Sequence, residues 1–275
     1  MGNSPSAHRP NVRERHSRAL YVNVPIAKDA AAKLLAPSSR VRVDARSGSG
    51  RAWLSFVIDD LDSLEAWTGA GFLPTPLSGW MMKSNLLVEA NPDGKEWLPA
   101  YQILNLDFEN SLGGRIKVAG ARSTQRIPSN LATFRMSDGA SGKSHLLNLN
   151  EGAVYEAEVL ASSGIEGGRL LAHIAGRLAP LSAEEQVFAS FVASRPHKIL
   201  SQDMGKAAVY APEVGEGASF TAEGMVKVEP AVLELEGLLG RGSLHDIQPD
   251  SLDFSNAVVL LQPEYTLLDH TNAPI

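Results

Sequence analysis

Residues 85–108 read Asn85-Leu-Leu-Val-Glu-Ala-Asn-Pro-Asp-Gly-Lys-Glu-Trp-Leu-Pro-Ala-Tyr-Gln-Ile-Leu-Asn-Leu-Asp-Phe108. Asn91-Pro-Asp-Gly94 is a strong turn tetrapeptide, because Pro presets the backbone angles of a turn and Gly tolerates left-handed ones. The segments on either side, Asn85–Glu89 and Trp97–Phe108, are rich in residues that favour strands. The stretch therefore predicts a β-hairpin.

Strand and turn signals recur outward from this hairpin. Arg40–Asp44 alternates with period two, Ser47–Gly50 supplies a turn, and Ala52–Ile58 resumes the strand, which predicts a second hairpin. A further turn is predicted over residues 138–143. The remaining predicted strands are Ala19–Val24, Ala132–Met136, His145–Leu149, Ala153–Leu160, Ala207–Tyr210, Ser219–Val228 and Ala257–Leu261.

Helix signals are fewer. Ala183–Ser194 is the clearest helix, because Ser182 and Glu185 form a capping box at its start. Its predicted apolar stripe is Val187, Phe188, Phe191 and Val192. Shorter helices are predicted over Lys28–Leu35 and Asn110–Val118.

These elements predict an α+β, strand-rich fold, an antiparallel cone- or barrel-like sheet with flanking helices. We expect one domain over residues 19–275, since no repeat and no low-complexity linker divides the chain. Residues 1–18 contain four arginines and are predicted to be a flexible basic N-terminal arm.

The composition excludes several classes of function. Of 275 residues, 44% are hydrophobic, and the formal net charge of −6 argues against a nucleic-acid partner. With no cysteine there is no disulfide and no thiol nucleophile. No apolar run approaches the roughly 20 residues of a membrane span, so we expect a cytoplasmic protein. Met1–Ser6 fits the loose myristoylation pattern, which a Gly- and Ser-rich start also produces by chance.

Most catalytic signatures are missing from the sequence. There is no phosphate-binding glycine loop, no dinucleotide fingerprint and no Gly-x-Ser-x-Gly nucleophile elbow. The seven histidines lack zinc-ligand spacing, so no metal site is expected, and each is interpreted as a surface or hydrogen-bonded residue. Asp59, Asp60 and Asp62 are interpreted as a solvated strand end.

One resemblance to a known family is carried by short motifs. Gly94–Asp107, followed by Leu112-Gly-Gly-Arg115, resembles the acetoacetate decarboxylase superfamily, in which a strand–turn–strand ends in an acidic residue and a short helix carries Gly-Arg. Leu34-Leu-Ala-Pro37 and Arg51-Ala-Trp-Leu-Ser-Phe56 resemble an uncharacterised bacterial branch of that superfamily. The resemblance covers residues 18–135 and, more loosely, 185–235.

The resemblance implies a β-cone around a pocket and, in active members, a Schiff-base mechanism. There a lysine just after the Gly-Arg helix attacks a ketone, and a second lysine lowers its pKa by charge repulsion. A glutamate on the preceding hairpin assists. No cofactor is expected, because the iminium is itself the electron sink.

This sequence departs from the family pattern at the reacting groups. The lysine pair would align near Arg122 and Ser123, and the family glutamate near Lys83. Arginine cannot be the nucleophile, because its guanidinium stays protonated. We expect Lys83 and Arg122 to be catalytic and to approach one another in a pocket that favours anions; the alternative for each cation is a surface ion pair. The predicted substrate-binding residues are Arg115, Trp53, Phe56, Trp97 and Tyr101.

Two functional classes follow from this departure. The first is a divergent enzyme of the decarboxylase, cyclase or related lyase type, acting on a small keto or enol carboxylate or a polyketide-like carbonyl compound. The second is a non-catalytic small-molecule-binding or structural subunit that retains the pocket. In either case a homo-oligomer is expected, because apolar strands need cover and superfamily members commonly associate.

Overall fold

The computed structural model describes residues 12–35, 38–46, 50–67, 70–75, 78–91, 94–109, 129–137, 151–161, 169–193, 197–202, 206–212, 224–235 and 252–274. These residues form one fourteen-stranded sheet with two α-helices and a short 3₁₀ turn. The first strands are β1 (Val12–Ala27), β2 (Val41–Val43), β3 (Arg51–Trp67), β4 (Phe72–Pro74), β5 (Gly79–Ala90), β6 (Leu98–Phe108) and β7 (Ser129–Ser137). The others are β8 (Val154–Ala161), β9 (Arg169–Ala179), β10 (His197–Gln202), β11 (Lys206–Pro212), β12 (Val226–Glu234), β13 (Val258–Gln262) and β14 (Tyr265–Pro274). The helices are α1 (Lys28–Lys33) and α2 (Ala183–Ala193), and the 3₁₀ turn is Phe254–Asn256.

The sheet branches at β1 and β6, each of which has two neighbours along one of its edges. Along one edge β1 pairs with β3, and along the other it pairs first with β14 and then with β13. In the same way β6 pairs with β5 on one edge and with β10 and β7 on the other. The sheet therefore curls back on itself without forming one simple closed barrel. Its pairings are antiparallel except for β6–β7 and β6–β10, which are parallel. This arrangement confirms the predicted strand-rich α+β class.

The strands β1, β3, β5 and β6 form a wall that is buried on both faces. On one face Leu20, Phe56 and Met82 belong to the largest apolar cluster. On the other face Tyr21 and Val57 belong to a second cluster, against which α2 packs. Successive residues of a strand point to opposite faces, so the wall separates two interiors. A shift of the strand register by one residue would move each side chain to the opposite interior.

The local signals of the sequence are confirmed where they are strongest. The hairpin around residues 91–94 is present, since β5 and β6 pair antiparallel from Met81↔Phe108 to Ala90↔Leu98. The capping box of α2 is also present. The Ser182 amide donates to Glu185 Oε2 over 2.9 Å, and the Glu185 amide donates to Ser182 Oγ over 3.3 Å. Helix α1 matches the prediction over 28–35 within two residues.

Three predictions need correction. The strand at 40–44 was expected to pair with the strand at 52–58, but β2 pairs with β5, and β3 pairs with β1, β4 and β5. Residues 12–18 belong to β1 and not to a flexible arm, because β1 pairs with β3 and β14 from Val12 onward. In α2, Val187 is 71% exposed and does not belong to the packed stripe, whereas Phe188, Phe191 and Val192 pack against the second cluster as predicted.

Several predicted elements lie outside the described residues. They are residues 1–11 of the arm, the helix at 110–118, the turn at 138–143, the strand at 145–149 and the first part of the strand at 219–228. Neither described helix is long and apolar enough to cross a membrane.

Candidate functional site

A buried ion pair lies on the wall face that carries Val57. Lys83 of β5 is directly opposite Val57 of β3, and Asp59 follows two residues later on the same face. Lys83 Nζ is 2.5 Å from Asp59 Oδ2, with side-chain exposures of 7% and 0%. Burial strengthens the attraction between the two charges but also removes the water that solvates them.

Two residues of β1 complete a group that we call the Lys83 cluster: Glu14, His16, Asp59 and Lys83. His16 Nε2 is 3.1 Å from Glu14 Oε2, and His16 Nδ1 is 3.8 Å from Asp59 Oδ1. All four residues are at most 5% exposed. With two carboxylates, one ammonium and a neutral imidazole, the cluster has a formal charge of −1.

The imidazole of His16 is held in its neutral form. Burial lowers the pKa of His16 below 6.5, although Asp59 and Glu14 oppose that shift, and Lys83 lowers the pKa further. Since Glu14 offers only acceptors while ionised, the hydrogen of a neutral His16 belongs on Nε2, where it is donated to that carboxylate. The lone pair is then on Nδ1. Neither Nδ1 nor Asp59 Oδ1 has a hydrogen-bond partner among the residues that the structure describes.

One tyrosine, Tyr265, packs directly against the same group. Tyr265 of β14 lies opposite His16 in the strand register, and the two rings stack with centroids 4.5 Å apart and planes 5° apart. Burial raises the pKa of Tyr265 well above its ordinary value, and Tyr21, Asp59 and Tyr101 add to the shift. The Tyr265 hydroxyl is therefore protonated and can act as a donor beside the cluster.

The structure places the predicted lining residues in three different positions. Trp53 and Tyr101 face the same side of the wall as Lys83, where Trp53 packs on Phe188 of α2 with ring centroids 4.5 Å apart. Phe56 was predicted to line the same pocket, but it is directly opposite Ser84 in the register and so points to the other interior. Phe56 is adjacent to Val57 in β3, and adjacent residues of a strand point to opposite faces of the sheet. The Phe56 side chain is therefore not on the face that carries Lys83.

Trp97 is also far from Lys83. The hairpin brings Trp97 next to the pair Ala90↔Leu98, seven residues along β5 from Lys83, which is about 23 Å of strand. There the Trp97 ring is covered by the Arg42 guanidinium at 4.1 Å from its centroid. Arg42 in turn donates to Glu89 over 2.7 Å, so Trp97 belongs to a cation–π contact at the opposite end of the hairpin.

Two further site residues, Arg115 and Arg122, lie outside the described residues. The approach of Arg122 to Lys83 therefore stays a prediction. The Lys83 cluster is acidic overall, because its two carboxylates, Asp59 and Glu14, outnumber the single positive charge of Lys83. Within the described part of the chain, the surroundings of Lys83 alone do not favour an anion.

Sequence reasoning missed the partners of Lys83. Asp59 was interpreted as part of a solvated strand end and His16 as part of a basic arm, yet both are fully buried. One available signal was the parity of Trp53, Val57 and Asp59, which places Asp59 in line with apolar residues of its own strand. His16 had no such signal, because β1 is bulged between Arg15 and Arg18.

The opposite interior has a smaller polar group at the same end of the wall. The Arg18 guanidinium lies over the Trp80 ring, 5.1 Å from its centroid, and Asn105 Nδ2 donates to Asp107 Oδ2 over 2.8 Å. Burial raises the pKa of the neighbouring Asp60 carboxyl, although Arg18 opposes that shift. These residues are separated from the Lys83 cluster by the strands themselves.

One group of described residues has the geometry of a possible metal site. The ligand atoms of Glu156, Glu158 and His173 lie within 4.8 Å of one another on β8 and β9. Each residue is partly exposed, His173 Nε2 is 3.1 Å from Glu156, and Arg135 is 3.8 Å from Glu158. These contacts form a row of cross-strand ion pairs, which accounts for the group without an ion.

Comparison with solved structures identifies the fold. The enduracididine biosynthesis enzyme MppR complexed with pyruvate superposes with a TM-score of 0.54 at 14% identity, over 98% of this chain and 93% of that one. An acetoacetate decarboxylase-like enzyme from Sphingomonas wittichii RW1 superposes with a TM-score of 0.51 at 12% identity, over 97% of this chain and 94% of that one. No protein-family model matches the chain, and no curated protein matches it significantly. The chain therefore has the acetoacetate decarboxylase-like fold.

Proposed function

We propose that the chain is an enzyme that activates a small keto acid by forming a Schiff base at Lys83. The observation that supports this most is the buried Lys83–Asp59 pair, in which an amine is next to a group that can take its proton. Carbonyl chemistry uses a lysine that can become a neutral amine, which loss of water favours, and an adjacent acid can carry the proton during the addition and the loss of water. The proposal moves the nucleophile from the family position near Arg122 to Lys83.

The proton balance of this step can be written with Asp59 alone. Asp59 takes a proton from the Lys83 ammonium, which leaves a neutral amine and a neutral acid. The amine nitrogen bonds to the carbonyl carbon, one N–H proton moves to the carbonyl oxygen, and Asp59 returns its proton as that oxygen leaves as water. The product iminium is a cation next to the Asp59 carboxylate. One ion pair is thereby replaced by another, and no uncompensated charge remains in the interior.

The iminium then accepts an electron pair from a bond at the neighbouring carbon. That bond is a C–H bond in proton exchange and a bond to a carboxyl group in decarboxylation. A keto acid is the proposed substrate class because one protein of the same fold is described as a complex with pyruvate. Arg122 is proposed to bind the substrate carboxylate, which the acidic Lys83 cluster would not attract by itself.

Exchange of the methyl protons of pyruvate tests this proposal. The wild-type protein is incubated with pyruvate in heavy water, and the methyl signal is followed by proton NMR. We expect a first-order loss of the signal above the rate in buffer. The variant Lys83→Met/Asp59→Asn, which removes both charges of the pair together, should give the buffer rate. Lys227→Met, which removes a lysine paired with Glu185 on the surface of α2, should exchange like the wild type.

A second candidate function is a non-catalytic binding protein. The observation that favours it is the same short contact, because a carboxylate 2.5 Å from Lys83 Nζ stabilises the ammonium, which cannot attack a carbonyl. A binding protein would give a saturation-transfer difference signal for pyruvate that reaches a plateau with concentration, and the pyruvate methyl protons would not exchange. Exchange that depends on Lys83 would exclude this alternative.

A further inference from the structure

The Lys83 cluster contains a histidine, His16, that has no role in the formation of the Schiff base. His16 Nδ1 is fully buried, is 3.8 Å from Asp59 Oδ1, and has no hydrogen-bond partner among the described residues. Asp59 Oδ1 has none there either, although Asp59 Oδ2 contacts Lys83. Burying a polar atom without a hydrogen-bond partner costs free energy. Two such atoms that face one another, His16 Nδ1 and Asp59 Oδ1, therefore indicate that a hydrogen-bond donor belongs between them.

The tautomer of His16 makes the missing group a donor and not an acceptor. Glu14 holds the hydrogen on Nε2, which leaves a lone pair on Nδ1. The ionised Asp59 Oδ1 is likewise an acceptor. Two acceptors 3.8 Å apart repel each other weakly, and a proton placed between them or delivered to Nδ1 would remove that repulsion. Nδ1 is therefore arranged to receive a proton.

The ring of His16 is also held in one orientation. Tyr265 stacks flat on one face of the imidazole, with planes 5° apart, and Glu14 fixes the far nitrogen at 3.1 Å. An imidazole that a carboxylate orients through one nitrogen, while the other nitrogen carries a lone pair, is the general arrangement of a histidine base, and His16 Nδ1 lies next to the Asp59 carboxylate that contacts Lys83. Once protonated, His16 would lie between Glu14 and Asp59, and both carboxylates would stabilise its charge.

We propose that His16 is the catalytic base that removes the proton from the carbon next to the iminium, with Glu14 as its positioning residue. This inference rests on the proposed function. In the step, the C–H bond breaks, its proton goes to Nδ1, and its electron pair forms a carbon–carbon double bond as the iminium becomes an enamine. The Nδ1 proton exchanges with heavy water, and return of a deuteron from Nδ1 to the carbon regenerates the iminium, so that atoms and charge balance.

The test separates proton removal from Schiff-base formation. His16→Gln keeps an amide that can donate to Glu14 but cannot accept a proton in this pH range. The exchange of pyruvate methyl protons should fall by about a hundredfold or more. Trapping of pyruvate on Lys83 by borohydride should remain at the wild-type level, because His16 takes no part in forming the iminium. His173→Gln, at a partly exposed histidine outside the cluster, is the matched control and should affect neither readout.

Two further variants guard against a merely structural effect. His16→Asn presents an amide where Nδ1 lies, and it should show the same separation of the two readouts if the folded state is retained. Glu14→Gln should slow exchange less than His16→Gln does, because loss of the Glu14 carboxylate weakens the preference of His16 for the Nε2–H tautomer but leaves the base in place. Wild-type exchange in His16→Gln and in His16→Asn, with trapping intact, would overturn the role of His16 alone. Absence of both trapping and exchange in the wild type would overturn the proposed function and this inference together.

Discussion

Lys83 Nζ and Asp59 Oδ2 lie 2.5 Å apart on neighbouring strands, in a part of the interior where neither side chain is more than 7% exposed. The two strands are in antiparallel register with Val57 opposite Lys83, so the contact is diagonal across the pair. Each charge compensates the other where both have lost most of their water.

The first prediction concerns the stability of this pair. Lys83→Met should lower the free energy of unfolding by about 3–5 kcal/mol near neutral pH, because it leaves Asp59 buried without a countercharge. Adding Asp59→Asn to that variant should recover a large part of the loss, since the uncompensated carboxylate is then gone. Urea unfolding of the two single variants and the double variant measures the coupling.

A surface ion pair provides the control for the first prediction. Lys227 Nζ is 2.8 Å from Glu185 Oε1, with side-chain exposures of 28% and 23%. Because water screens this pair, Lys227→Met should cost less than about 1 kcal/mol. Equal losses for Lys83→Met and Lys227→Met would show that the Lys83–Asp59 pair is not buried as described.

The second prediction concerns the dependence of stability on pH. The pKa of His16 is lower in the folded protein than its ordinary value of 6.5, chiefly because of burial. The unfolded chain therefore binds the proton more readily, and stability contributed by neutral His16 is present above about pH 6.5 and is lost as the pH falls below it. The slope is at most about 1.4 kcal/mol per pH unit for one proton. Urea titrations of the wild type and His16→Gln should diverge in slope below pH 6.5, and parallel curves would contradict the prediction.

The third prediction concerns the start of helix α2. Ser182→Ala removes the hydroxyl that accepts from the Glu185 amide and should cost about 0.5–2 kcal/mol. Ser190→Ala is the matched control, because Ser190 Oγ only donates back to the Gln186 carbonyl within the helix. We expect that control to be neutral or slightly stabilising by thermal unfolding. A loss at position 190 as large as that at 182 would argue against the capping box as the cause.

The fourth prediction concerns the close approach of β9 and β12. A Cβ atom on Gly176 would lie 2.2 Å from the Glu229 carbonyl oxygen, at the irregularity between Pro230 and Val232. Gly176→Ala must therefore push these strands apart and should destabilise the protein clearly. Gly71→Ala, where a Cβ would meet no atom within 4 Å, should be tolerated. Comparable melting temperatures for the two variants would show that the strands are not this close.

The sequence predicted the elements that depend on neighbouring residues, and it did not predict those that depend on contacts between distant parts of the chain. The turn at 91–94 and the capping box at 182–185 depend on residues a few positions apart, so their signals are complete in the sequence. The pairing of β2 with β5 is decided by competition between strands that are distant in the sequence. The alternation of residues within one strand does not indicate which distant strand will pair with it.

The candidate site shows the same division. Lys83 was identified because it aligns near the family glutamate on the hairpin before the Gly-Arg motif. The partners Asp59 and His16 were missed because their burial depends on the register of three strands and on a bulge in β1. A bulge reverses the inward and outward parity beyond it, so periodicity alone cannot assign the face of His16.

The most direct measurement is the identity of the lysine that pyruvate labels. The full-length protein is incubated with pyruvate, reduced with borohydride, digested and mapped by mass spectrometry. A Schiff base adds the mass of pyruvate less water plus two hydrogens to one peptide. We expect that label on Lys83, at the wild-type level in Lys227→Met and absent from Lys83→Met/Asp59→Asn. A label confined to any other lysine, or retained after Lys83 and Asp59 are replaced, would contradict it.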